Sequence, residues 1–178
     1  MTILHYAPMN ARYFIASADT LGFDTQSVAK MRESRSRQSD GGLAIFWDRD
    51  PSVDPGEDIS QWESYRFVLS YRFRPNSLEE YQEDVLMACI FWGAYLFPES
   101  NRENLIQFFY QRGYAGYLLY DIDNISGKRK ARPGFFSLEA SKMNLFTAVK
   151  DYIRYRGHTE YFKSFLEECK IFSMPKVS

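Results

Sequence analysis

Near the N-terminus, three apolar stretches break on charge or proline. "ARYFIASADT" (11–20) is mostly apolar, ends on Asp19 and gives way to a polar, basic stretch reaching to about residue 40. It reads as a strand followed by a loop or short helix. "GGLAIFWDRD" (41–50) opens on two glycines and runs apolar into charge, and "YRFVLSYRFRP" (65–75) is β-branched and aromatic before a proline. Both read as strands, and the acidic, turn-rich "PSVDPGEDISQW" lies between them. Three strands joined by loops predict an antiparallel meander.

From residue 77 the period changes. Leu78, Tyr81, Val85, Cys89 and Trp92 recur at spacings of three and four, and Ser77 with Glu80 forms a capping-box pattern, so a helix is predicted there. "AYLFPE" then reads as a short strand. "NRENLIQFFYQRG" reads as a helix with Asn101 as its cap and Gly113 as its stop. "GYLLYD" is a further strand. After a basic loop, "SLEASKMNLFTAVKDYIRYRG" reads as a helix closed by Gly157, and "TEYFKSFLEECKIF" as another with Phe162, Phe165, Cys169 and Phe172 on one stripe. The predicted order is β-β-β-α-β-α-β-α-α. Alternating strands and helices in its middle favour parallel strands with crossover helices, hence an α/β fold with a mixed central sheet flanked by helices.

At 178 residues, with no repeat and no long Pro/Gly/Ser linker, one domain spanning 1–178 is the simplest organisation. A hydrophobic content of 45% with 25% charged residues excludes a disordered or collagen-like chain. Fifteen Phe and thirteen Tyr predict a core of large flat side chains, with some tyrosines lining a surface groove. The formal charge of -1 gives no global attraction to nucleic acid, so DNA binding has to come from local patches. Lys30, Arg32, Arg35 and Arg37 make one such patch, Lys128, Arg129, Lys130 and Arg132 another, and acid collects from Asp50 to Asp58. Cys89 and Cys169 sit among apolar residues at helical spacing and read as buried free thiols. No run approaches the ~20 apolar residues of a membrane span, and the N-terminus lacks a basic-then-apolar leader. A cytoplasmic location is expected.

Most catalytic signatures are missing. There is no G-x-S-x-G, no His beside either cysteine, only His5 and His158 as histidines, and the Gly127-Lys128 pair lacks the rest of a phosphate-binding loop. Carboxylates at strand ends remain. Asp19 closes the first predicted strand and Glu99, in "YLFPESN", follows the fourth. Separately, Asp19 suits a turn in "ADTLGFD" and Glu99 suits the acidic start of the next helix. If the two strands are parallel neighbours, however, their carboxyl ends share one sheet edge and the acids converge. Hard divalent cations bind such carboxylates and activate water on a phosphodiester.

The same order resembles the ribonuclease-H-like core, and several segments are similar to the nuclease domain of phage terminase large subunits, the DNA-packaging motors of tailed phages. "YFIASADT" resembles that family's first strand with its metal-binding Asp, and "SDGGLAIFWDRD" its second strand. "VLSYRFRPNSLEEYQEDVLMACIFWGAYLFPESN" resembles its third strand, first helix and fourth strand with the second acid. "LIQFFYQRGYAGYLLY" and "PGFFSLEASKMNLFTAVKDYI" resemble the continuation, so the likeness covers nearly the whole chain. It implies an endonuclease cutting double-stranded DNA during genome packaging. Asp19 and Glu99 would be its catalytic and metal-binding residues, Asp40 a helper, and Mg2+ or Mn2+ in a two-metal site its cofactor. Portal protein, small terminase subunit or a separate packaging ATPase would be partners in the host cytoplasm, with no membrane involved. The family's third metal-binding Asp is usually found beyond the last helix, whereas this sequence continues for six residues, "SMPKVS", without an acid. That departure leaves a domain truncated at its C-terminus, a split gene product, or a relative that has lost cleavage as alternatives.

Lys128, Arg129, Lys130 and Arg132, extended by Lys142 and Lys150 on the next helix, fit phosphate contacts, which supply affinity without reading sequence. A solvated loop is the alternative. Of another class altogether is a non-catalytic DNA- or protein-binding module of the same fold, for which the absent third acid argues. A junction resolvase is a third reading, because fold alone does not fix function.

Overall fold

The computed structural model describes residues 14–19, 41–48, 66–73, 75–100, 103–123, 125–136 and 138–171. Strands β1 (Phe14–Asp19), β2 (Gly41–Trp47) and β3 (Arg66–Phe73) form the antiparallel meander that their apolar runs predict. Helix α1 (Leu78–Trp92) then crosses over to β4 (Tyr95–Leu96), which pairs with β1 in parallel, so the sheet is mixed and ordered β3-β2-β1-β4. Helix α2 (Glu103–Gln111) follows, then a single 3-10 turn (Ala115–Tyr117), β5 (Tyr120–Ile122), β6 (Arg129–Pro133), α3 (Glu139–Arg156) and α4 (Lys163–Ile171).

Strand alternation divides the sheet into two faces. Ala16, Ala18, Leu43, Ile45 and Leu96 face α1 and α2 and are buried against Tyr81, Val85, Cys89, Leu105 and Phe109. Burying each large apolar side chain contributes about 1.5–3 kcal/mol, so this layer dominates the stability of the described core. Close packing needs small residues at particular places. A Cβ on Gly41 would stand 2.5 Å from the Tyr81 ring, so the first glycine of "GGLAIFW" makes room for that tyrosine. On the opposite face, Phe46 of β2 and Phe67 of β3 meet Tyr152 of α3 edge-on at centroid separations of 5.9 and 5.4 Å, and Phe165 of α4 joins at 5.0 Å from Phe67. The aromatic richness of the sequence is thus spent on both faces.

Helix α1 begins where the capping pattern places it. The Ser77 hydroxyl accepts from the Glu80 backbone N–H at 3.1 Å, while the Glu80 carboxylate reaches back one residue further than a standard box, to the Asn76 N–H at 3.0 Å. Gly93, at φ 62°, ends it in the left-handed region, and the Ala94 N–H closes onto the Cys89 carbonyl at 2.9 Å. Gly113, at φ 81°, stops α2 in the same way.

Three expectations need correction. "GYLLYD" does not form one strand: Gly116 and Tyr117 belong to the 3-10 turn, Leu118 makes a single parallel bridge to Leu96, and only from Tyr120 does β5 begin. The basic loop is a strand, β6, paired antiparallel with β5 in a hairpin. Cys169 is half-buried, because α4 turns Phe165 rather than its cysteine into the aromatic cluster, whereas Cys89 is fully buried and its thiol is pushed up to about 12 by that burial. Asp40, Asn101, Phe172, the basic segment 30–37 and the acidic segment 50–58 lie outside the described residues. Among the described residues no helix is long and apolar enough to cross a membrane.

Candidate functional site

The parallel pair β1 and β4 brings the two acids to one edge. Ile15 pairs with Tyr95 and Ala16 with Leu96, and the Phe97 N–H donates to the Ala16 carbonyl at 2.8 Å, extending the ladder. The pairing ends at Ala16 and Leu96; Asp19 follows three residues after Ala16, and Glu99 three residues after Leu96, where it bridges to Phe135. Burial alternates in step along both strands: Ala16 and Ala18 are buried with Ser17 and Asp19 exposed, and Leu96, Pro98 and Ser100 are buried with Phe97 and Glu99 half-buried. Each acid thus alternates with buried residues, Asp19 exposed at the end of β1 and Glu99 half-buried just past its neighbour β4.

Each acid stands on an anchored backbone. The Tyr81 hydroxyl donates to the carbonyls of Asp19 at 2.9 Å and of Gly42 at 2.7 Å, tying the end of β1 to the start of β2. Burial first, and then the nearby Asp19 charge, push the Tyr81 phenol far above its ordinary range, so it remains a donor. Glu99 is clasped from the other side. As Leu118 and Leu119 leave β4, residues 133–135 run in beside it: the Phe135 N–H donates to the Pro98 carbonyl at 3.0 Å and the Ser100 N–H donates to the Phe135 carbonyl at 2.8 Å. The buried Ser100 hydroxyl donates to the Pro133 carbonyl at 2.6 Å, and Phe97 lies against Phe135 with centroids 5.6 Å apart. Only glycine fits at 134. Its φ is +81°, and an added Cβ would fall 1.8 Å from the Pro98 oxygen.

The placement also separates Glu99 from the helix that follows. Helix α2 starts at Glu103, which is the acid of its first turn and pairs with Arg132 at 2.7 Å. The helix-start role belongs to Glu103. Carboxylate oxygens are the ligands that a hard divalent cation takes. Among the described residues no group of three or more His, Cys, Asp and Glu side chains is arranged to hold a metal ion, so a two-metal site lacks a ligand set within them. Asp121 and Asp123 do not supply a third arm. Asp121 pairs with Lys130 and accepts from the Ile122 N–H, while Asp123 holds the hairpin turn by accepting from the N–H groups of Ile125 and Ser126 and from the Ser126 hydroxyl. The Ser126 N–H is the leading cause of the lowered Asp123 pKa.

The basic residues separate into two sets. Lys130 and Arg132 face carboxylates, Asp121 and Glu103, whereas the Arg129 guanidinium carbon sits over the Tyr120 ring, 3.5 Å from its centroid, and Lys128 projects exposed from the turn. Lys142 and Lys150 are exposed along α3. Sequence reasoning missed the supporting residues Tyr81, Ser100 and Gly134. Of these only Gly134 carried a local signal, the Pro-Gly pair of "PGFF", which marks a turn or a close approach. Set against known proteins, the chain matches no family model, no curated protein and no solved structure.

Proposed function

We propose that this chain is a ribonuclease-H-like, metal-dependent endonuclease domain that cuts double-stranded DNA during phage genome packaging, with Asp19 and Glu99 as its metal-binding acids. The observation that supports the reading is the parallel pairing of β1 with β4, which makes neighbours of the two strands that lead to Asp19 and Glu99. Support also comes from the meander followed by a strand parallel to the first, the topology under which the two acids converge. Mg2+ or Mn2+ bound there would supply Lewis-acid activation of water and of the scissile phosphate. The chain's own contribution is positional. Tyr81 ties the backbone at Asp19, and residues 133–135 tie the backbone on either side of Glu99. Lys128 and Arg129 are the cations of the hairpin left to meet DNA phosphates, with Lys142 flanking them. Portal protein, small terminase subunit or a packaging ATPase would then be the partners.

A second reading, a DNA- or protein-binding module of the same fold, draws on one observation: among the described residues no third ligating side chain joins the pair. Plasmid nicking in Mn2+ separates the two. The nuclease reading expects nicking by the wild type and at least about a hundredfold less by Asp19→Ala and by Glu99→Ala, in line with removing groups that act on the transition state. Equal activity in all three proteins ends the assignment of these acids, and a wild type without activity puts the binding module ahead.

A further inference from the structure

Beyond the two acids, the sheet edge past Leu118 carries an open groove of about 710 Å³, lined by Tyr95, Tyr110, Leu118, Tyr120, Ile122 and Arg129 among others. That volume lies within the range of small-ligand sites. Its chemistry is specific. The Tyr110 and Tyr120 hydroxyls bond to each other at 2.7 Å, which fixes both rings, and the Arg129 guanidinium covers one face of Tyr120 at 3.5 Å, so a flat cation and a flat ring form one platform. Among the described residues no carboxylate lines the groove. The hairpin cations that do have carboxylate partners, Lys130 and Arg132, are not among its lining residues, while Arg129 is, and Lys128 follows the lining Gly127 at the turn. Ile122 is 58% exposed beside them, an apolar surface without a cover among the described residues.

We propose that this groove binds an unpaired stretch of DNA, with a base stacked on the Arg129–Tyr120 platform and its phosphate beside Lys128 and Arg129. Aromatic rings and arginine planes accept any base face, and the cations track the backbone, which is the chemistry of single-strand binding. Duplex DNA cannot use the platform, because its base faces are already stacked. Only the choice of DNA leans on the nuclease reading, and the groove works without metal.

The test is fluorescence anisotropy of a labelled oligothymidylate, in EDTA and low salt, against an abasic oligonucleotide and a duplex of the same length. EDTA separates this outcome from that of the nicking assay. The wild type should bind the oligothymidylate about tenfold more tightly than the abasic strand, the loss expected for one stacked base. Tyr120→Leu and Arg129→Gln should each remove that preference, and Lys170→Gln on α4 should keep it. Because Tyr120→Leu also breaks the bond to Tyr110, the abasic comparison on the unaltered protein is the deciding arm. Equal affinity for the two strands, preference for the duplex, or no binding by the wild type overturns the proposal.

Discussion

Gly134 does for Glu99 what Tyr81 does for Asp19: each lets a neighbouring segment fix the backbone from which a carboxylate projects. The requirement at 134 is doubly strict, since a side chain there meets the Pro98 oxygen at 1.8 Å and has to adopt a φ of +81°. Gly134→Ala should therefore lower the unfolding free energy by about 3 kcal/mol, combining left-handed strain of ~1–2 kcal/mol with overpacking of ~1–3 kcal/mol. Urea melts of the two proteins check this. An unchanged midpoint would mean that the clasp beside Glu99 is open in solution. The role of Tyr81 was not visible in the sequence, because a hydroxyl bridging two carbonyls 62 and 39 residues away leaves no local pattern.

At the level of elements, legibility followed periodicity. Strands β1 and β2 and helix α1 were readable because one face of each is apolar and buried, and α1 carries its own caps; β3 was readable from its β-branched and aromatic run, though it is only half-buried. The hairpin was not. Strand β6 is "RKARP", with no apolar alternation, and it is held by pairing with β5 and by Lys130 and Arg132 finding acids elsewhere in the fold. Its turn rests on Asp123 accepting from Ile125 and Ser126 with Gly127 at φ +65°, which is ordinary turn chemistry. Helix α4 starts at Lys163 rather than near Thr159, after a 3-10 turn from Gly157 to Thr159. The α1 cap gives a prediction at this scale. Ser77→Ala removes the acceptor for the Glu80 N–H and should cost about 1 kcal/mol, measured by thermal or urea unfolding. A cost near zero would show that the Asn76–Glu80 contact caps the helix without Ser77.

Across the whole molecule, a sheet with two unlike faces sets where chemistry can occur. One face is sealed by α1 and α2; on the other the aromatic cluster of α3 and α4 meets Phe46 and Phe67, while Ser17 and Asp19 on β1 remain exposed. The pair of acids was legible only as a conditional, since sequence places Asp19 and Glu99 at strand ends but cannot say which strands are neighbours. The parallel β1–β4 pairing meets that condition. Binding of Mn2+, followed by the loss of its free-ion electron paramagnetic resonance signal, tests the central claim most directly. The account predicts saturable binding by the wild type and at least about tenfold weaker binding by both Asp19→Asn and Glu99→Gln, with folding unchanged, because each carboxylate supplies ligand oxygens. Undiminished Mn2+ binding by either variant would contradict it.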